Sequence, residues 1–463
     1  MGHGRKMALG LGACLCLFTI GWLAVRYGWG NPGNNGRVLN IFCWDDSFRT
    51  VMEQYYPAYD KETERIGDVQ VHWVLVPETE NLYQMALDQA LADAEDVPAD
   101  ERVDMCLVEA DFVRRYTATS EVAVGLDELG ITAPELADQF PYTRELAMDA
   151  QGVQRGISWQ ACPGVMVYRR DIAKKVWGTD EPEAVQQYVR DWRRFEEAAG
   201  QLRQAGYRML PGYFDTYRVF ASNASLPWLN GQRELQLDPG LRAWQEQTKR
   251  FAEQGFLYPN NLWDKSWNAQ VCGDVFCYFG PAWLIAGSLE RLSRRPAAAG
   301  AAGTYGEWAV CQGPQVYFWG GSWICAARGT DNSSLVVDIM RTLCCTPETA
   351  QAMAHGRTEF VNSQPVMQAL AADASFGTPF LGGQNPYAVM YPVAENIQAK
   401  NMTAYDQGCH ETFQTVSRRF FLGEVSAAAA WQEFLASIQQ KYPELRESDP
   451  DFQSSYTERV LWE

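Results

Sequence analysis

The chain is poor in histidine: four residues in 463, none spaced with another metal ligand. It has no Cys-x-x-Cys and no His-Glu-x-x-His. No structural or catalytic zinc site is expected, and nothing in the sequence asks for another metal or a cofactor. A Gly-x-x-x-x-Gly-Lys-Ser/Thr phosphate loop is also missing. Gly320-Gly321-Ser322-Trp323-Ile324 fails as a Gly-x-Ser-x-Gly nucleophile elbow at its final glycine. Basic residues are few, 39 against 57 acidic, for a net charge of −18. No basic cluster is long enough to track phosphates, which excludes nucleic acid as a partner. The acidic balance suits a soluble body that binds neutral or cationic small molecules.

What is present is globular. Hydrophobic residues make up 47% and charged residues 21%, and the length suits two or three domains. Arg5-Lys6 precede an apolar run from Met7 to Val25, closed by Arg26. This reads as a secretory signal or signal-anchor, with the body exported. Leu11-Gly12-Ala13-Cys14 resembles a bacterial lipobox, which would make Cys14 the lipidated residue. An uncleaved anchor of about 19 residues would also span a membrane. Both readings stay open, and either leaves the body tethered outside the cytoplasmic membrane. Gly28 to Gly36 then serves as a flexible linker, so residues 1–36 form a segment apart from the fold.

Twelve cysteines include Cys14 and Cys16 in the leader. Cys43, Cys106, Cys277, Cys311 and Cys325 sit in apolar runs and read as buried thiols. Export permits disulfides, but spacing assigns no pairs.

Along the body, Arg37 to Trp44 predicts a buried strand and Asp46 to Glu64 a helix. Val69 to Val76 predicts a second strand, Asn81 to Ala94 a helix, and Val103 to Glu109 a third strand. That alternation is the signature of a parallel sheet with crossover helices, and ligands bind beyond the carboxyl ends of such strands. Trp44-Asp45-Asp46 and Glu109 to Asp111 fall there; helix N-capping is the plainer reading of the aspartates. Strands are also predicted at Val165 to Tyr168, Tyr207 to Leu210, Val275 to Phe279, Trp308 to Cys311 and Tyr317 to Ala327. Beyond Asp331 the pattern is helical.

Seventeen tryptophans remain to be placed. A tryptophan is ordinarily core, with apolar neighbours and one partner for its indole N–H. Trp73, Trp177, Trp192, Trp244 and Trp431 fit that description. Trp44, Trp159, Trp283, Trp319 and Trp323 instead stand at predicted strand ends beside acids, amides or glycines. A flat apolar face ringed by polar groups suits a sugar.

Longer stretches then carry a resemblance. Val-Leu-Asn-Ile-Phe-Cys-Trp-Asp-Asp (38–46), Leu-Val-Glu-Ala-Asp (107–111), Ser-Trp-Gln-Ala-Cys-Pro-Gly-Val-Met-Val-Tyr-Arg-Arg (158–170), Phe-Trp-Gly-Gly-Ser-Trp-Ile-Cys-Ala (318–326) and Leu-Gly-Gly-Gln-Asn (381–385) resemble extracellular solute-binding proteins of carbohydrate ABC transporters, in the maltodextrin-binding-like group. The resemblance implies an α/β, two-lobed, periplasmic-binding-protein-like fold. Each lobe would be a mainly parallel sheet flanked by helices, with a hinge between them. Lobe one would be 37–162 plus 324–375, and lobe two 163–323 plus 376–463. It implies a monomer that binds a mono- or oligosaccharide between the lobes and delivers it to the importer's membrane subunits, without catalysis or cofactor. The implied ligand residues are Trp44, Asp45, Asp46, Glu109, Asp111, Ser158, Trp159, Gln160, Asp215, Arg218, Trp283, Trp319, Trp323, Gln384 and Asn385. A secreted hydrolase using an Asp/Glu pair is the alternative, and a tethered adhesin a third reading.

Overall fold

The computed structural model of the chain describes residues 36–294, 303–356 and 359–445. The leader, including Cys14, lies outside the described residues. Among the described residues no helix is long and apolar enough to cross a membrane.

Among the described residues the strands are β1 (Val38–Cys43), β2 (Tyr59–Asp60), β3 (Arg65–Ile66), β4 (Val69–Leu75), β5 (Met105–Glu109), β6 (Ile157–Ser158), β7 (Pro163–Arg169), β8 (Cys277–Gly280), β9 (Trp308–Cys311), β10 (Tyr317–Phe318) and β11 (Ser322–Ala326). They form two sheets. The first has the order β2-β3-β4-β1-β5-β11-β6; in the second β7 pairs with β8, β9 and β10. In the first, β1 lies parallel to β4 and β5, while β11 runs against β5. In the second, all three partners of β7 run against it.

The antiparallel ladders of the second sheet differ from the parallel pairing expected there, and chain direction gives the reason. β8, β9 and β10 share one direction, and β7 is reversed between them. β7 has just left the first sheet and runs outward, so the strands beside it run inward. β11 is the mirror case: it arrives from the second sheet and is reversed against β5. Isolated parallel bridges at Arg208–Val275 and Leu210–Leu257 extend the inward set. Each sheet therefore aims most of its strand ends at the space between the two.

The chain passes between the sheets at Trp159–Ala161–Cys162 and again at Trp319–Gly320–Gly321. The run expected as one strand, Tyr317 to Ala327, is thus broken in two. Gly320 and Gly321 break it, at φ 77° and 111°, values open mainly to glycine. The helix expected from Asp46 to Glu64 stops at Tyr55. Pro57 forbids its continuation by holding Tyr56 extended (φ −113°, ψ 95°).

Strand side chains alternate between two cores. Val165 and Val167 of β7, Tyr278 of β8 and Trp308 and Val310 of β9 join the core shared with the first sheet. Met166, Tyr168, Cys277, Phe279, Ala309 and Cys311 point the other way, into the core under helices Trp192–Gln204, Pro239–Gln254, Asp406–Phe421 and Ala427–Lys441. Strands buried on both faces explain the continuous apolar runs.

Candidate functional site

Strand ends build one cleft. Trp44 and Asp45 follow β1, Glu109 ends β5 and Asp111 lies just beyond it; Trp283 follows β8 and Trp319 follows β10. Gln160 enters from the first crossing, and Arg218 from helix Tyr217–Ala221, packed against β10. These eight line a space of about 1390 Å³ open to solvent.

Its second-sheet wall is aromatic. Trp283 and Trp319 meet edge to face at 5.0 Å, and Trp263 lies 6.3 Å and 6.1 Å from them. Trp263 is 46% exposed. Its φ of 69° is a left-handed conformation that costs a bulky residue about 1–2 kcal/mol. Trp44 stands on the opposite side, held edge-on by Tyr83 at 5.6 Å and Phe112 at 6.1 Å.

The polar wall is acidic. Asp45, Glu78, Glu109, Asp111, Glu359 and Glu411 face the space, and Arg218 is the only Lys or Arg among its lining residues. Burial pushes the Asp111 carboxyl up, but the Arg218 ion pair at 2.6 Å outweighs it and holds the group below its ordinary value. Glu109 makes no ion pair of that kind: burial, then Asp111 and Glu78, push its pKa well up against the lowering field of Arg218. Glu78 is raised to about 7 by burial and by Asp111 and Glu411. Glu359 is raised to about 8 by burial alone. His410, behind Arg218, accepts or donates at 2.6 Å with the Tyr217 hydroxyl and is lowered to about 4, first by burial.

Seven expected residues stand elsewhere, each with a local role. Asp46 precedes helix Ser47–Tyr55, with its carbonyl accepting from Thr50, and does not reach the cleft. Ser158 donates to the Gln160 carbonyl at 2.7 Å within the crossing. Trp159 is buried against Phe48 at 5.3 Å. Asp215 is buried and accepts from the Trp267 indole at 3.0 Å. Trp323 is buried on β11 and donates to the Thr143 carbonyl at 2.8 Å. Gln384 clamps the β9 backbone, accepting from Val310 N and donating to Val310 O, both at 2.8 Å. Asn385 donates to the Leu370 carbonyl at 2.7 Å and accepts at 2.9 Å from the backbone N of Tyr387, the first residue of helix Tyr387–Asn396. A polar residue near a chain crossing satisfies stranded backbone groups as readily as a ligand. Asp45 does both: it lines the cleft rim and accepts from Ser47 N at 2.9 Å.

Sequence reasoning missed other lining residues. Trp263 carries the same cue as its neighbours, standing between Asn260-Asn261 and Asp264. Glu78 lies three residues past β4 and follows the strand-end rule. Gln407, Glu411 and Gln414 form a polar stripe at i, i+4 and i+7 on helix Asp406–Phe421. Gln407 also donates to Glu78 at 3.1 Å and pairs with Gln84, bridging the cleft.

Two sheets with crossings between them and a cleft at their facing strand ends define a two-lobed binding protein. Residues 55–377 match the family described as bacterial extracellular solute-binding proteins, and the chain belongs to that family. It is a binding protein rather than an enzyme, which sets the hydrolase alternative aside. No curated protein matches it. Solved structures share the fold at low identity. A chain described as an extracellular solute-binding protein family 1 has TM-score 0.69 and 18% identity, covering 87% of this chain and 99% of its own. The ABC-transporter-associated binding protein of B. animalis subsp. lactis Bl-04, in complex with β-1,6-galactobiose, has TM-score 0.63 and 14% identity, covering 91% and 99%. The galacto-N-biose/lacto-N-biose I-binding protein of Bifidobacterium longum, in complex with lacto-N-biose, has TM-score 0.64 and 13% identity, covering 89% and 98%.

Proposed function

We propose that the chain captures a carbohydrate in this cleft and hands it to an ABC importer. The carrying observation is the wall of Trp263, Trp283 and Trp319 facing a rim of acids and amides. Rings desolvate the apolar face of a sugar, and carboxylates and amides replace its water hydrogen bonds. The enclosed part of the cleft, about 540 Å³, falls within the roughly 300–1,000 Å³ of an ordinary small-molecule pocket, room for a single ring or a short oligosaccharide. The sugar complexes among the similar structures support the same reading.

In this reading the lobes, 37–162 plus 324–375 and 163–323 plus 376–463, close on the sugar by differential affinity for the closed shape. The protein works as a monomer at the outer face of the cytoplasmic membrane, held by lipid on Cys14 or by an uncleaved anchor, where it meets the importer's membrane subunits. A thermal-shift panel of oligosaccharides tests the ligand class: a bound sugar raises the melting temperature with concentration. No shift with any sugar, alongside a clear shift with another solute, overturns the reading.

A further inference from the structure

The sugar reading, on which this inference rests, leaves the charge of the cleft unexplained. Six carboxylates line it, and the one guanidinium is already engaged by Asp111. A neutral sugar needs acceptors for its hydroxyls, but amides supply those without mutual repulsion. Gathered and part-buried carboxylates repel one another and lose their water.

Two of them, held protonated by burial, would ionise against a bound cation. Glu109 Oε2 accepts from Asp111 N at 2.8 Å. Its Oε1 lies 3.6 Å from the point where a Gly320 side chain would begin, and so does the Trp283 Nε1. A carboxylate oxygen and an indole edge thus meet over bare backbone. Glu359 Oε2 is buried at the same cleft with no hydrogen-bond partner among the described residues. The buried Cys162 thiol lies at the same floor, 4.0 Å from the point where a Gly321 side chain would begin, and donates to Gln160 Oε1 at 2.8 Å. Burial, then Glu359 and Glu109, push its pKa up.

Among the described residues no three groups converge as metal ligands. An organic cation can instead meet carboxyl oxygens and an indole ring set side by side, as at Glu109 and Trp283. An ammonium offers three donors to carboxylates, and its charge is attracted to tryptophan faces.

We propose that the transported carbohydrate bears a protonated amine, an amino sugar or its oligomer, held by Glu109 and Glu359 beside Trp283.

Titration calorimetry at neutral pH tests this with matched probes: a glucosamine trisaccharide with free amines, its fully N-acetylated counterpart, and spermidine. The free-amine sugar should bind at least about tenfold tighter than the acetylated one. Glu109→Gln and Glu359→Gln, which keep shape and remove charge, should shrink that preference towards unity without lowering the melting temperature. Equal or tighter binding of the acetylated sugar overturns the inference and leaves the carbohydrate reading standing. Saturable binding of spermidine with neither sugar binding overturns the carbohydrate reading, and the proposal with it. A free-amine preference that survives both substitutions removes Glu109 and Glu359 as its source and overturns the assignment.

Discussion

The Arg218 guanidinium donates to Asp111 Oδ1 at 2.7 Å across the cleft, joining helix Tyr217–Ala221 on the second-sheet side to the loop after β5. The pair is largely shielded, with side-chain exposures of 23% and 10%. Removing one partner of such a pair strands the other, at about 3 kcal/mol. Arg218→Met is predicted to lower unfolding stability by about that amount. Arg218→Met with Asp111→Asn should recover most of it, because no charge is left uncompensated. Denaturant titration of the two singles and the double measures the coupling; additive losses would remove the pair as a linked unit.

The tryptophans separate into two experimental classes. Trp323 is fully buried and its indole is bonded to Thr143, so Trp323→Ala should cost about 3–5 kcal/mol of stability. Trp263 is the reverse, exposed and strained at φ 69°. Trp263→Gly relieves the left-handed backbone while deleting a cleft ring. Its melting temperature should hold or rise while sugar affinity falls about tenfold or more. Calorimetry and melting curves on both variants decide the matter. A Trp263→Gly protein that melts early and binds normally would contradict the assignment.

The strand-end cue works because chain direction is written into the sequence. A buried apolar run that stops at an acid or a tryptophan marks a carboxyl end, and those ends converge on one cleft. Trp44, Glu109, Trp283 and Trp319 are legible for that reason. Glu78 is equally legible by the same rule, although it stands outside the expected set. The crossings are harder. Near Ser158, Gln384 and Asn385 the polar side chains serve backbone carbonyls, in the crossing itself for Ser158 and in other segments for Gln384 and Asn385. Composition cannot separate an amide that holds a carbonyl from one that holds a hydroxyl. Gln407, Glu411 and Gln414 depend on where helix Asp406–Phe421 docks, a long-range fact that local pattern does not contain.

Burial raises the folded pKa of several carboxyls, Glu109 and Asp104 among them, with Glu78 and Asp215 brought to about 7 and Glu359 and Asp406 to about 8. Each binds its proton more tightly in the folded state. Its stabilisation is complete below the unfolded value and is lost as pH rises through the folded one. Burial sets the sign, reinforced at Glu78 by Asp111, Glu411 and Asp45 and at Asp406 by Asp111; Arg218 at Glu78, Thr403 and Arg114 at Asp406, and the Trp267 indole at Asp215 act the other way. His410, lowered to about 4, acts oppositely but only below its ordinary value. The ligand-free protein should therefore lose stability steadily between about pH 6.5 and 8.5. Denaturation midpoints across that window test it, and a flat or rising profile would refute it.

Gly320 offers the sharpest probe of the cleft floor. Its φ of 77° strains any side chain, at about 1–2 kcal/mol. An added methyl would sit in ordinary contact, 3.6 Å from both Glu109 Oε1 and Trp283 Nε1, so it fits sterically and occupies the space a ligand needs. Gly329 is the matched control: at φ 92° a methyl added there would meet nothing within 4 Å, and it lies outside the cleft's lining. Gly329→Ala and Gly320→Ala should lose similar stability, because both introduce the same backbone strain. Only Gly320→Ala should also weaken ligand binding, by about tenfold or more if the ligand reaches the Glu109–Trp283 corner. Equal affinities in the two variants would place the ligand away from that corner, and with it the charge-compensating contact.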